Sequence, residues 1–372
     1  MHLAELLACR PVPASALFMA LTRRCPLRCR HCATMSGITS EQQPATPLRR
    51  FAASFTPADH PEYLLLTGGE PLLRPGLVRT LAKTARAVGT RSYVLTGAFF
   101  AERGRLPAPI RTALESVDHI AVSIDVFHEA EVPRDRVFWL LHQLLAMGRD
   151  ASLQACGTGP DDPYLTGLTS HVRREFGDRI PMLVTTVRPA GRARTWLRTA
   201  EPPASVLPDP GPPAPGPPAA PCELLSWPVV AFDGTIAACC NQDVLDSRPV
   251  PAHLRLGHVS TSTWPQIRRA CVSSAALRAL RTRGPVQLVH RFAGPAGAAA
   301  DYCATCRSLP ARALRGAEAE AVRPAARLIE QQAVALQRAA GPAGFARRHG
   351  DASRADLVLL GYPGSPAGEA RC

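Results

Sequence analysis

Along the first half of the chain, apolar residues gather in short unbroken runs separated by longer stretches with helical spacing. The runs 17–22, 63–67, 92–96, 120–124, 152–155 and 182–187 are predicted strands. They are continuous rather than alternating, as strands covered on both faces should be. Between them, 77–88, 137–147 and 165–176 carry apolar residues at helical intervals, and Gly89, Gly148 and Gly177 supply the stops. Six strand–helix units over 15–194 predict a parallel α/β domain, either an open barrel or a doubly wound sheet. Periodicity alone does not choose between them.

The pattern breaks after residue 200. Half of the residues from Pro202 to Pro221 are proline, which excludes a helix and predicts an extended linker holding two bodies apart. Beyond it, 229–232 and 235–238 flank Asp233-Gly234 as a hairpin. An Ala/Arg/Glu/Gln-rich stretch over 311–338 reads as helix, kinked or interrupted at Pro324. The last thirty residues, with Gly and Pro throughout, read as a mobile tail. The expected organisation is an N-terminal segment 1–14, an α/β domain 15–200, a linker 201–221, a smaller domain 222–310, and a helix with a tail 311–372.

Composition changes this picture little. The net charge of +13 is almost wholly arginine, Lys83 being the single lysine, so a nucleic-acid partner is not inferred from it. The apolar run 14–21 is followed, not preceded, by Arg23 and Arg24, which is the wrong order for a secretory signal. No other run approaches a membrane span, and a cytoplasmic location is expected. In that reducing compartment the twelve cysteines are not expected to pair as disulfides. Cys25, Cys29 and Cys32 form one group, Cys222, Cys239 and Cys240 a second, and Cys303 with Cys306 a third. Clustered cysteines read as metal ligands, while Cys9, Cys271 and Cys372 read as ordinary thiols.

The first group follows a strand, and three thiolates bound to a four-iron cluster leave one iron open to a small molecule. Structural zinc, with His31 or another side chain as fourth ligand, is the competing assignment. Thr67-Gly68-Gly69-Glu70-Pro71 follows the second strand; paired glycines admit close approach, and Glu70 can hold an ammonium group. Ser123-Ile124-Asp125 ends the fourth strand with a hydroxyl and a carboxylate on one side, suited to a polar ligand or to a helix N-cap. Strand C-terminal ends are where barrel and doubly wound enzymes build their sites.

With these motifs in this order, the chain resembles the radical S-adenosylmethionine superfamily. The resemblance implies a partial (β/α)6 TIM-like barrel in which Cys25, Cys29 and Cys32 hold a [4Fe-4S] cluster. Gly68, Gly69, Glu70 and Pro71 match the motif that holds the methionine amino group of S-adenosyl-L-methionine. Ser123 and Asp125 resemble the fourth-strand contacts to methionine or ribose, and Arg134 or Arg136 is implied at the carboxylate. His31 stands where the family often has an aromatic residue, and Cys156-Gly157-Thr158-Gly159 echoes its fifth-strand motif only loosely. The implied chemistry is reductive cleavage to a 5′-deoxyadenosyl radical that abstracts hydrogen from substrate.

Beyond the linker, Trp227 to Cys240 and then Leu256-Gly257-His258-Val259 resemble the abbreviated "twitch" form of the SPASM extension. That implies a second, auxiliary [4Fe-4S] cluster on Cys222, Cys239, Cys303 and Cys306, with Cys240 a rival for Cys239; without the resemblance, zinc fits equally well. Cys156 either packs or faces substrate, and His128 and Glu129 either sit near the reaction or serve the loop. The leading functional expectation is redox modification of a ribosomal peptide or small natural product, served by a donor such as flavodoxin or ferredoxin. About sixteen residues precede the first strand, so a peptide substrate implies a separate recognition protein. A sugar or aminocyclitol dehydrogenase, epimerase or decarboxylase is the alternative enzyme, and a non-catalytic zinc protein the alternative of another class.

Overall fold

The computed structural model describes residues 1–103, 105–197, 219–294 and 301–363. Six parallel strands appear where the apolar runs lie: β1 Ala16–Ala20, β2 Tyr63–Thr67, β3 Arg91–Thr96, β4 His119–Ser123, β5 Asp150–Gly157 and β6 Met182–Thr186. Each pairs in parallel with the next in sequence. Helices such as Pro75–Arg86, Arg134–Ala146 and Pro163–Phe176 make the crossovers, and Gly177 closes the last in the left-handed conformation at φ 57°. The helices Ala45–Ala52 and Ala108–Ser116 are additional to those the periodicity predicted.

The strands are apolar on both faces because both are covered. Leu17, Met19, Leu64, Leu66, Val94 and Val122 join the core under the crossover helices. Ala16, Tyr63, Leu65, Tyr93 and Ala121 join a second core on the other side. On that inner side, Phe18 of β1 and Leu183 of β6 line one cavity. In a flat sheet, strands five places apart would be separated by about 24 Å. The sheet is therefore curled into a partial barrel rather than laid open.

Three further strands extend it. β7 Val229–Val230 pairs in parallel with β1, with Phe18 opposite Val229, and β8 Thr235–Ala237 and β9 Arg255–His258 follow antiparallel. The hairpin is where the sequence placed it, but it continues the barrel's own sheet instead of starting a detached body. Of the predicted linker 201–221, only 219–221 lie within the described residues.

The helical stretch is interrupted at Pro324, as expected: Ala311–Ala321 ends before it, and Pro324–Ala339 begins on it, where the missing N–H costs nothing. Two other expectations are corrected. Much of the supposed tail is ordered. Gly341–His349 is helical, Ala352–Leu359 is a 3₁₀ helix, and Ala346, Ala355 and Val358 are buried with residues of Leu3–Ala8 and the inner strand faces. Cys9, expected as a free thiol, is disulfide-bonded, and Cys372 lies outside the described residues.

Candidate active site

Between β1 and the helix Ala45–Ala52 the chain runs without regular structure and carries Cys25, Cys29 and Cys32. The turn after β2 anchors it. Gly69 N–H donates to Thr22 O at 2.6 Å, and Glu70 N–H donates to Arg24 O at 2.8 Å. The loop passes so close that a Cβ on Gly68 (φ 138°) would lie 2.3 Å from Thr22 O, and one on Gly69 would lie 2.4 Å from Arg24 O. The glycine pair is thus required by the cysteine loop itself, and not only by a ligand.

The three thiols line a cavity of about 140 Å³ together with Gly68, Gly69, Glu70, Ser123, His128 and Arg192. No other cysteine among the described residues is on its wall. Glu70 is fully buried; its carboxylate accepts from Leu72 N–H, Gly97 N–H and the Thr96 hydroxyl at 2.9–3.0 Å. Desolvation outweighs those donors and pushes its pKa up to about 7. Burial likewise pushes the Cys25 thiol up to about 12. The Cys32 thiol is held below its usual value: burial opposes this, but the Thr34 hydroxyl, nearby backbone N–H groups and Arg192 favour the thiolate.

At the end of β4 the two polar residues part company. Ser123 reaches the cavity wall. Asp125 is instead the N-cap of the short helix Val126–Glu129, accepting from Phe127 and His128 N–H at 3.0 Å and facing His128 Nδ1 at 2.9 Å and His31 Nε2 at 3.4 Å. Burial lowers the His128 pKa, but Asp125 and the Cys29 sulfur more than offset it, raising it to about 10. His31 stacks on Phe127 with ring centroids 4.8 Å apart, and burial pushes its pKa down to about 4. Donor atoms of His31, Asp125 and Cys156 lie within 4.8 Å of one another, and Cys156 Sγ is 3.0 Å from the Thr185 hydroxyl.

Residues 19–151 match the family model of the Radical SAM superfamily. The radical SAM match takes in the cysteine loop, the Gly-Gly-Glu turn and the end of β4, and stops before β6 and the second cysteine group. Over 126 residues the chain is 36% identical to pre-heme d1 synthase of Dinoroseobacter shibae, covering 31% of this chain. The matching stretch spans 28% of that relative's own length. Two solved structures are similar at low identity. Native anSMEcpe, with bound AdoMet and Cp18Cys peptide, is 11% identical with a TM-score of 0.46, over 85% of this chain and 99% of that one. Streptococcus suis SuiB bound to precursor peptide SuiA is 15% identical with a TM-score of 0.39, over 48% and 40%.

Two residues stand differently from the sequence reading. Arg134 does not line the cavity; its guanidinium is paired with Glu129 and lies 5.2 Å over the Tyr164 ring. Arg192, just past β6, does line it, and sequence reasoning missed it. Its N–H and Nε donate to Cys32 O and Cys29 O at 3.0 and 2.9 Å, and Nη1 donates to Ser36 O at 2.8 Å. Gly191 beside it has φ 53°, and a Cβ there would fall 2.3 Å from Cys32 O. Gly191-Arg192 at a strand end was the available signal, but nothing in the sequence joined it to a loop 160 residues earlier.

The second cysteine group is also drawn together. Cys222 is held by N–H donation to Leu280 O, Cys239 and Cys240 follow β8, and Asp301 caps the helix Tyr302–Arg307 that carries Cys303 and Cys306. Burial raises the thiols of Cys222, Cys239, Cys303 and Cys306, and their mutual proximity, with that of Cys240, adds to it. Cys239 Sγ accepts from Asn241 N–H at 3.3 Å, while Cys240 Sγ lies 3.8 Å from Arg10 Nη2.

Proposed function

We propose that this chain is a radical SAM enzyme that cleaves S-adenosylmethionine reductively and modifies a small natural product or ribosomal peptide by hydrogen abstraction. The observation that carries this is the convergence of Cys25, Cys29, Cys32 and the Gly68-Gly69-Glu70 turn on one cavity. Three thiolates fit a [4Fe-4S] cluster that keeps one iron open. When bound, that cluster supplies the electron that breaks the sulfonium carbon–sulfur bond. Glu70, ionised, receives the ammonium group of the cosubstrate, the carbonyls of the glycine turn assist it, and Pro71 fixes the turn's exit. Ser123 offers a hydroxyl to the same ligand, and Asp125 orders the helix start behind it. Arg192, rather than Arg134, is the cation available to the carboxylate.

Cys222, Cys239, Cys303 and Cys306 are proposed to hold an auxiliary [4Fe-4S] cluster in a twitch-like module, with Cys240 the rival of Cys239. With all its irons ligated it would accept the electron left after abstraction, making the net reaction an oxidation. Flavodoxin or ferredoxin would supply the first electron, and a separate recognition protein would present any peptide. No helix among the described residues is long and apolar enough to cross a membrane. We place the enzyme in the cytoplasm, where such thiols stay reduced.

The test is anaerobic reconstitution, expected to give roughly eight irons per chain if both sites hold four-iron clusters. Replacing Cys25, Cys29 and Cys32 together by Ala should remove half of the iron and all formation of deoxyadenosine. Replacing Cys303 and Cys306 by Ala should keep deoxyadenosine formation and abolish product. Zinc in both sites, without iron-dependent absorbance, would refute the reading.

A further inference from the structure

The inner face of the barrel lines a second cavity of about 280 Å³, near the lower end of the roughly 300–1,000 Å³ usual for ligand sites. Its walls are mostly apolar: Phe18, Leu65, Tyr93 and Leu183 from the strands, and Phe345 from the C-terminal helix Gly341–His349. Thr67 and Leu95 belong to this wall and also to the wall of the cysteine-loop cavity, so the two spaces adjoin. At its far side stand Arg10, Trp227 and Cys240.

Most polar groups facing this space already have partners. Gln154 donates to the Tyr93 hydroxyl at 2.7 Å, and His349 Nε2 is 2.9 Å from Glu223. Arg188 is exposed, and its Nη2 donates to His349 O at 3.4 Å. Arg10 differs. It is 4% exposed, its guanidinium lies 4.5 Å over the Trp227 ring, and Nη2 donates to Leu224 O at 3.2 Å. Its Nη1 is buried with no hydrogen-bond partner. A guanidinium cannot shed its charge in a protein, so a buried, unmatched N–H is costly until an acceptor meets it.

We propose that this lumen is the substrate site and that it takes a compact apolar acid. The body is about the size of one large apolar side chain, and the carboxylate meets Arg10 Nη1 beside Cys240. This deepens the radical SAM reading, on which it rests for the chemistry but not for the binding. The apolar end then lies toward Thr67 and Leu95, next to the cavity of Cys25 and Glu70. A sugar or aminocyclitol fits poorly, because its hydroxyls would be stripped of water against walls that are mostly apolar and whose polar groups are mostly paired already. The acid is either a free small molecule or the C-terminal residue of a peptide; both present the same group to Arg10.

The experiment is anaerobic calorimetric titration of the reconstituted full-length chain with 3-phenylpropionate, 3-phenylpropan-1-ol, the peptide Gly-Gly-Gly-Phe and myo-inositol. At least one of the two carboxylates should bind, and the tighter of them names the source. The alcohol should bind at least tenfold more weakly than 3-phenylpropionate, and myo-inositol should give no heat. Arg10→Met should erase the preference for acid over alcohol, and Leu183→Trp, which fills the lumen, should remove binding of both. Circular dichroism and iron content verify that each variant is folded. If Arg10→Met does not fold, Arg10→Lys and the acid–alcohol comparison on the wild type stand in its place. Equal binding of acid and alcohol by the wild type, binding of myo-inositol, or an unchanged Leu183→Trp variant overturns the proposal. Because the titration needs no turnover, missing acid binding alongside normal deoxyadenosine formation refutes only this inference. Intact acid binding in a chain that holds no iron refutes only the radical reading.

Discussion

A methyl group on Gly69 has nowhere to go, since it would meet the carbonyls of both Arg23 and Arg24 closer than 3 Å. Gly69→Ala should cost about 2–3 kcal/mol, read as a lower urea midpoint, and should lower iron retention with it. One residue on, Glu70 should make the proposed binding of S-adenosylmethionine pH-dependent. Its pKa near 7 is set by burial, so below pH 7 the carboxyl is neutral and loses its attraction for an ammonium group. Affinity for S-adenosylmethionine should fall as pH drops from 8 to 6 in titrations of the wild type. In Glu70→Gln it should be uniformly weak and flat. Both residues were legible in the sequence because glycine pairs and a following carboxylate are local signals. Asp125 was legible only as an ambiguity, and the fold resolves its carboxylate toward the N-cap and His128.

The cysteine loop has no helix or strand of its own, and long loops of this kind need ties to the elements around them. Arg192 provides three, to Cys29, Cys32 and Ser36, from the segment after β6. Arg192→Met should weaken the loop by about 1.5–3 kcal/mol, the scale of a hydrogen bond from a charged group. The check is faster loss of iron to a chelator at unchanged helical circular dichroism. Strand positions could be read within one or two residues, because an apolar run covered on both faces is a strong local signal. Tertiary ties such as this one join residues distant in sequence, and no periodicity records them. The C-terminal helices show the same limit. A stretch rich in Gly and Pro reads as tail, yet Ala346, Ala355 and Val358 find apolar partners on Leu3–Ala8 and the inner strands.

Across the whole molecule, the helical C-terminal part is tied down through buried charge. Glu330, on Pro324–Ala339, meets Arg278 and Arg281 of the helix Ala275–Ala293 at 2.9 and 2.6 Å, with all three side chains largely buried. Glu330→Ala leaves two buried guanidinium groups unmatched and should cost about 3–5 kcal/mol, seen as a lowered unfolding midpoint. Glu330→Gln should recover part of it. The sheet itself was only half legible, since nothing before the linker announces that β7 will pair with β1. That pairing sets an order of events during synthesis. β1 is the first strand to leave the ribosome, yet one of its edges stays unpaired until residue 230 has been made. Through all the time in which β2 to β6 emerge, an apolar strand offers open backbone groups to any passing chain. A fragment ended before residue 229 would carry that edge permanently and should not be expected to stay single.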